Sequence, residues 1–136
     1  MKNKNLAFID IETTGFDVER QEIIEIGCVI VKQVNGVPTD IVDEFDIKIK
    51  PQRINEADAE ALAINGYNEA GWMFASELPQ AMELFAQKTK ECVMVAHNVG
   101  FASSFIAKAC SVSVVENKMF SVKLDCMSFA VAKLHN

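Results

Sequence analysis

Leu6-Ala7-Phe8-Ile9-Asp10-Ile11-Glu12 is an apolar run interrupted by two carboxylates two residues apart. On a strand that spacing puts Asp10 and Glu12 on one face, because successive side chains alternate in direction. Burying one ionised carboxylate costs several kcal/mol unless a positive charge compensates it, so two side by side imply a cation, divalent by charge. The other reading is a strand whose acids point into water. The following Thr13-Thr14-Gly15 is a turn, expected to leave backbone N–H groups free beside that charge.

A chain of 136 residues, 50% hydrophobic and 24% charged, is globular and fits one domain, 1–136, with no room for a second. It holds no apolar run long enough to cross a bilayer, no secretory h-region after Met1-Lys2-Asn3-Lys4-Asn5 and no lipidation signal. A soluble cytoplasmic protein is expected. Cys28, Cys92, Cys110 and Cys126 are far apart in apolar contexts and form no C-x-x-C pair, which favours reduced core thiols over disulfides or a zinc site. Neither His97 nor His135 pairs with a cysteine or a second histidine at ligand spacing. The net charge of −6 argues against non-specific attraction to nucleic acid unless metal ions offset it locally.

The pattern along the chain is strand, strand, strand, helices, strand, helix, strand, helix. Glu22 to Val34 is rich in β-branched residues, and Asn35-Gly36 signals a two-residue type I′ hairpin. From Ile41 to Lys50, Phe45, Ile47 and Ile49 alternate with Asp46, Lys48 and Lys50, the signature of a half-exposed edge strand that Pro51 ends. Glu56 to Ile64 is Ala-rich and helix-prone, and Asn65 through Trp72 breaks into a loop. Leu78, Met82, Phe85 and Ala86 form a helical stripe, with Pro79 tolerated in the first turn. Cys92 to Ala96 reads as a strand buried on both faces, with His97-Asn98-Val99-Gly100 at its carboxyl end, where ligands gather in α/β sheets. Ala102, Phe105, Ile106 and Ala109 line the next helix; a strand over Val122 to Asp125 and a helix over Met127 to Leu134 complete the chain.

Phe8-Ile9-Asp10-Ile11-Glu12-Thr13-Thr14-Gly15 resembles the first motif of the DEDD-type 3′–5′ exonucleases, the DnaQ-like group that includes the polymerase III epsilon subunit. Val95-Ala96-His97-Asn98-Val99-Gly100-Phe101 resembles their second motif, and Ile64-Asn65-Gly66-Tyr67-Asn68 their His-Gly-Ile-Thr loop in altered form. The resemblance runs from Leu6 to Leu134 and implies a ribonuclease H-like α/β fold: a mixed five-stranded sheet with its second strand antiparallel, flanked by helices. It also implies two-metal hydrolysis with Mg²⁺ or Mn²⁺, the ions roughly 4 Å apart and held by hard oxygen ligands. Carried over, Asp10 is the bridging ligand and Glu12 a second ligand. Thr13 and Thr14 supply backbone contacts to the 3′-terminal nucleotide, and His97, Asn98 and Phe101 lie beside the substrate strand. His97 equally fits a strand-end histidine bonded to backbone, and Asn98 a helix cap.

Two departures from the family pattern stand out. The second-motif aspartate belongs directly after Phe101, where this chain has Ala102, and the third motif, a histidine base followed by an aspartate ligand, is not found before Asn136. His135 is followed by no aspartate, and Asp125-Cys126 stands where the family has a structural or rim Asp-Thr. Ala102 fits either a single Asp→Ala change that stops turnover or natural decay into a binding protein. The chain's end fits a shortened piece, an end without fixed structure, or a naturally short protein. The expected function is an exonuclease domain acting on nucleic-acid 3′ ends, single-stranded DNA favoured, in proofreading or repair, and inactive as written. The competing expectations are a non-catalytic module binding nucleic acid or a polymerase subunit, and an unrelated α/β interaction protein. A missing terminal segment would bare apolar surface near Phe8, a surface that a homodimer would cover.

Overall fold

The computed structural model describes residues 1–127, so the expected helix beyond Met127, with Phe129, Val131, Leu134 and His135, lies outside the described residues. Strand β1 (Leu6–Thr13) lies at the centre of a five-stranded sheet. Its antiparallel neighbour β2 (Ile23–Val34) turns at Asn35-Gly36 into β3 (Val37–Lys48). Both turn residues have positive φ, 51° and 83°, the requirement of a type I′ turn and the reason for Asn-Gly there. On the other flank β4 (Val93–Ala96) runs parallel to β1, and β5 (Lys123–Asp125) parallel to β4. The order is β3-β2-β1-β4-β5 with only β2 reversed, which is the ribonuclease H-like mixed sheet expected from the motifs.

Helices α2 (Leu78–Lys88) and α3 (Val99–Ser113) pack on one face. There Met82, Phe85, Phe105 and Ile106 meet Ile9 and Ile11 of β1 and Ile26 and Cys28 of β2 in the main core. β4 is buried along its whole length: Met94 and Ala96 join that core, while Val93 and Val95 join a smaller cluster with Leu6 on the opposite face. On that opposite face Phe8 remains 39% exposed.

Boundaries differ in two places. β3 begins at Val37, directly after the turn, and not at Ile41. Its first half projects past the core, so Val37, Ile41 and Val42 are exposed and show no alternation to read. The expected helix from Glu56 becomes a 3₁₀ turn over Ile54–Glu56 and a helix α1 over Ala59–Asn65 that buries none of its residues. Asp58 sits between them, its N–H donating to the Thr14 carbonyl at 2.8 Å, so the chain is tied to the end of β1 before it coils. The stretch read as a loop around Trp72 is anchored: the indole is 5% exposed and its Nε1–H donates to the Ile24 carbonyl at 3.0 Å.

Cys28, Cys92 and Cys110 are buried free thiols. Burial pushes Cys28 up to about 12, helped by nearby Cys92 and Asp43, and raises Cys92 and Cys110 as well. Since the thiolate is the reactive form, iodoacetamide at about pH 8 should label Cys126 alone in the folded protein and all four after denaturation. Mass spectrometry of native and unfolded samples checks this, and rapid native labelling of Cys28 would contradict it.

Candidate nuclease site

The face of β1 away from the helices presents Phe8, Asp10 and Glu12 to a groove of about 670 Å³. Register carries the pattern onto the next two strands. Asp10 lies opposite Gly27, which lies opposite Asp46; Glu12 lies opposite Glu25, which lies opposite Lys48. Cross-strand partners share a face, so four carboxylates and one ammonium project together. The missing side chain of Gly27 leaves the groove floor open between Asp10 and Asp46.

Neither Asp10 nor Glu12 has a hydrogen bond or ion pair among the described residues. Burial, and then the charge of Asp10, raise the Glu12 carboxyl above its ordinary value. Glu25 is pushed up to about 7 by burial first, then by a hydrogen bond shared with Asp46 and the charges of Asp46 and Glu12, against the pull of Lys48. Lys48 is held with its Nζ 4.3 Å from the centroid of the Trp72 ring. Unlike charges would stabilise this row and like charges facing each other destabilise it, so the groove carries uncompensated negative charge. The donor set therefore fits a hard divalent cation between Asp10 and Glu12. It does not form a complete cage: among the described residues no group of three or more His, Cys, Asp or Glu is placed to hold a metal ion.

The turn after β1 is built differently from the expectation of free amides. Thr13 and Thr14 are buried; the Thr14 N–H donates to the Glu22 carbonyl at 2.8 Å, and the Gly15 N–H to Thr13 Oγ1 at 3.4 Å. Thr14 Oγ1 in turn accepts the Glu22 N–H at 2.8 Å. Any side chain at Gly15 would run into the Gln21 carboxamide, which itself accepts the Asp17 N–H and donates to the Glu56 carbonyl. These threonines thus shape the end of β1 through interactions they already make. Asn65, which closes α1, lines the groove and donates from Nδ2 to the Thr13 carbonyl at 3.0 Å, a second brace on the same turn.

Phe8 pairs with Val95 across β1 and β4, and two residues beyond that rung stand Asp10 and His97, both in the groove lining. His97 is exposed and its ring makes no hydrogen bond among the described residues, which disfavours the backbone-bonded alternative. Asn98 occupies the N-cap position of α3 but in a left-handed conformation, φ 59° and ψ 66°, and its side chain makes no capping bond. Phe101 stacks between Phe16 and Phe105, with ring centroids 5.8 and 4.9 Å away. Phe16 is 83% exposed and was invisible to motif reading, although an aromatic directly after a Thr-Thr-Gly turn is a signal of its own. Ala102 is buried on the core side of α3 and brings no oxygen donor.

Glu25 makes stability pH-dependent. With its folded value raised to about 7, the folded chain keeps a proton that the unfolded chain has lost, so stability falls as pH rises from the ordinary carboxylate range to about 7 and levels off above. Glu25→Gln should flatten that slope. Carboxyl NMR of the unaltered chain checks the assignment, and a Glu25 midpoint below about 5 would overturn it.

Residues 7–135 match the family model described as exonuclease, the RNase T type. Ribonuclease T of Shewanella baltica is 32% identical over 111 residues, covering 74% of this chain and 50% of that protein. The 3′–5′ exonuclease DinG of Staphylococcus epidermidis is 31% identical over 103 residues, covering 76% of this chain and 11% of its own length. The chain therefore spans about half the length of the ribonuclease T relatives it matches. Product-bound exonuclease I has the same fold, with a TM-score of 0.80 at 10% identity over 97% of this chain and 32% of that one. E. coli exonuclease I in complex with a dT13 oligonucleotide gives 0.81, again at 10% identity, over 96% and 30%. With both motifs on one groove of a ribonuclease H-like sheet and the family model matched over residues 7–135, this chain belongs to the exonuclease family.

Proposed function

We propose that this chain is a divalent-metal-dependent exonuclease domain that takes the 3′ end of single-stranded nucleic acid, DNA favoured over RNA, into the Asp10 groove without hydrolysing it. The observation that carries the reading is the pair of unpartnered carboxylates, Asp10 and Glu12, beside His97 on the adjoining strand end. The exonuclease family to which the chain belongs acts through divalent ions, and the hard oxygens here suit Mg²⁺ or Mn²⁺. When bound, such an ion supplies Lewis-acid stabilisation of charge on a phosphodiester. Asp10 and Glu12 would hold it. His97 and Asn98 would flank the terminal nucleotide, Phe101 would face its base, and Thr13 and Thr14 would set the height of the groove's end.

Ala102 is the reason for expecting binding without turnover. In the family pattern an aspartate ligand stands there, and catalytic carboxylates act as a unit, so losing one removes most of the rate and not a proportional share. A second reading, a module that binds nucleic acid or a polymerase subunit and keeps the fold after natural decay of its catalysis, fits the same residue. The two part over one experiment: aspartate at position 102 in a chain that also carries the family's third motif restores turnover under the first reading and not under the second. The dT13 complex of exonuclease I, the same fold, supports the preference for DNA; the ribonuclease T relatives make RNA the necessary comparison.

With Mn²⁺ or Mg²⁺ present, the 136-residue chain should leave a labelled single-stranded oligonucleotide intact while shifting its anisotropy. Clear shortening from the 3′ end by nuclease-free protein would sink the claim of inactivity; absence of any shift with DNA or RNA would sink the claim of binding. Mn²⁺ relaxation should report one weak site that Asp10→Ala abolishes. Unchanged Mn²⁺ binding in that variant would remove Asp10 from the site.

A further inference from the structure

We propose that Asp125 is a positioning residue for the groove, holding His97 in place through the backbone of Asn98. Asp125 ends β5 and lies in register with Ala96, the residue before His97 on β4. Its Oδ1 accepts the Asn98 N–H at 3.1 Å and the Met127 N–H at 3.2 Å. Asn98 is the point at which the chain leaves β4 and enters α3, and it does so at φ 59° and ψ 66°, a left-handed conformation that residues with a Cβ rarely adopt. Asparagine tolerates this conformation better than other residues with a Cβ, and the hydrogen bonds on either side of Asn98 select it. No side-chain cap does so here; the backbone does. The Asn98 carbonyl accepts the N–H groups of Phe101 at 3.1 Å and Ala102 at 3.3 Å, which fixes the far side of the elbow to α3. On the near side the carboxylate of Asp125 is the acceptor, and a charged acceptor makes the stronger kind of hydrogen bond.

The elbow therefore has two anchors, one on α3 and one on β5, and His97 sits immediately before it with no hydrogen bond of its own among the described residues. The direction of the His97 ring is set by where the backbone turns. Releasing the β5 anchor lets Asn98 relax toward the extended or right-handed regions, and either change rotates the peptide that carries His97 relative to Asp10. In this way a residue outside the groove lining governs a residue inside it.

The role in nucleic-acid binding rests on the function proposed above; the tether itself does not. Asp125→Ala removes the acceptor, whereas Asp125→Asn keeps an oxygen in the same place. Two readouts separate positioning from mere support of the strand: amide exchange at Asn98 and Met127, and anisotropy of a fluorescent single-stranded DNA oligonucleotide with a free 3′ hydroxyl. In Asp125→Ala, Asn98 should exchange at least about tenfold faster and the oligonucleotide bind about tenfold more weakly, as expected for loss of a charged hydrogen bond. Asp125→Asn should stay within about threefold on both. If Asp125→Ala does not fold, Asp125→Ser, whose side chain is too short to span the contact, takes its place. Unchanged oligonucleotide binding in the alanine or serine variant, equal losses in asparagine and alanine, or faster exchange at Met127 alone would each overturn the proposal. Should the unaltered chain ignore the oligonucleotide, the function reading falls, and Asn98 exchange with the His97 ring NMR shift still decides the tether: unmoved signals in Asp125→Ala refute it.

Discussion

Like charges placed on facing rungs of neighbouring strands repel, and the arrangement around β1 depends on tolerating that repulsion. Glu12 faces Glu25, and Glu25 is hydrogen-bonded to Asp46 on the next strand. A sheet organised only for stability would put unlike or apolar pairs there. The structure contains the strain by confining it to one face: the reverse face of the same strands carries Ile9, Ile11, Ile26 and Cys28 into the main core beneath α2 and α3. Burial on one side holds the strands in register, and that register is what forces the carboxylates together on the other. A cation entering the groove would offset that repulsion, which is the physical sense in which such a patch suits a binding site.

How far this could be read in the sequence depended on range. Features set by neighbours in the chain were legible: the alternation of β1, the Asn35-Gly36 turn, the fully apolar β4 and the stripe Leu78, Met82, Phe85 on α2. Features set by partners far away were not. Glu25, Asp46 and Lys48 look like ordinary exposed residues of a strand until the β1-β2-β3 register stacks them beside Glu12. Trp72 follows Gly71 in a stretch whose local sequence signals a loop, yet the Ile24 carbonyl, 48 positions earlier, makes it an anchor. The start of α1 was misplaced because helix propensity was the only guide, while the Asp58 bond to Thr14 decided the outcome.

The motif residues show a related division. Asp10, Glu12 and His97 line one groove. Thr13 and Thr14 turned out to have their polar groups engaged within the turn, and Asn98 to be a backbone pivot and no side-chain cap. In each case a motif letter marks a position whose importance lies in main-chain geometry, so residue chemistry alone was a poor guide to its task. Asn65 stands in the loop resemblance without a role of its own, because its bond to the Thr13 carbonyl spans 52 positions, and Phe16 carries no motif letter at all.

The Phe8–Val95 rung has a consequence for how such a chain can drift over generations. Asp10 and His97 each follow that rung by two residues, so the last β1-β4 rung fixes where the two chains stand as they reach the groove. One residue inserted or deleted between the rung and Asp10 would turn that side chain to the helical face, among Ile9 and Ile11. The hairpin tip beyond Val34 and the stretch between α1 and α2 carry no such constraint. Length change should accumulate there over evolutionary time, while the few residues between the rung and the groove keep their count even in descendants that have abandoned catalysis.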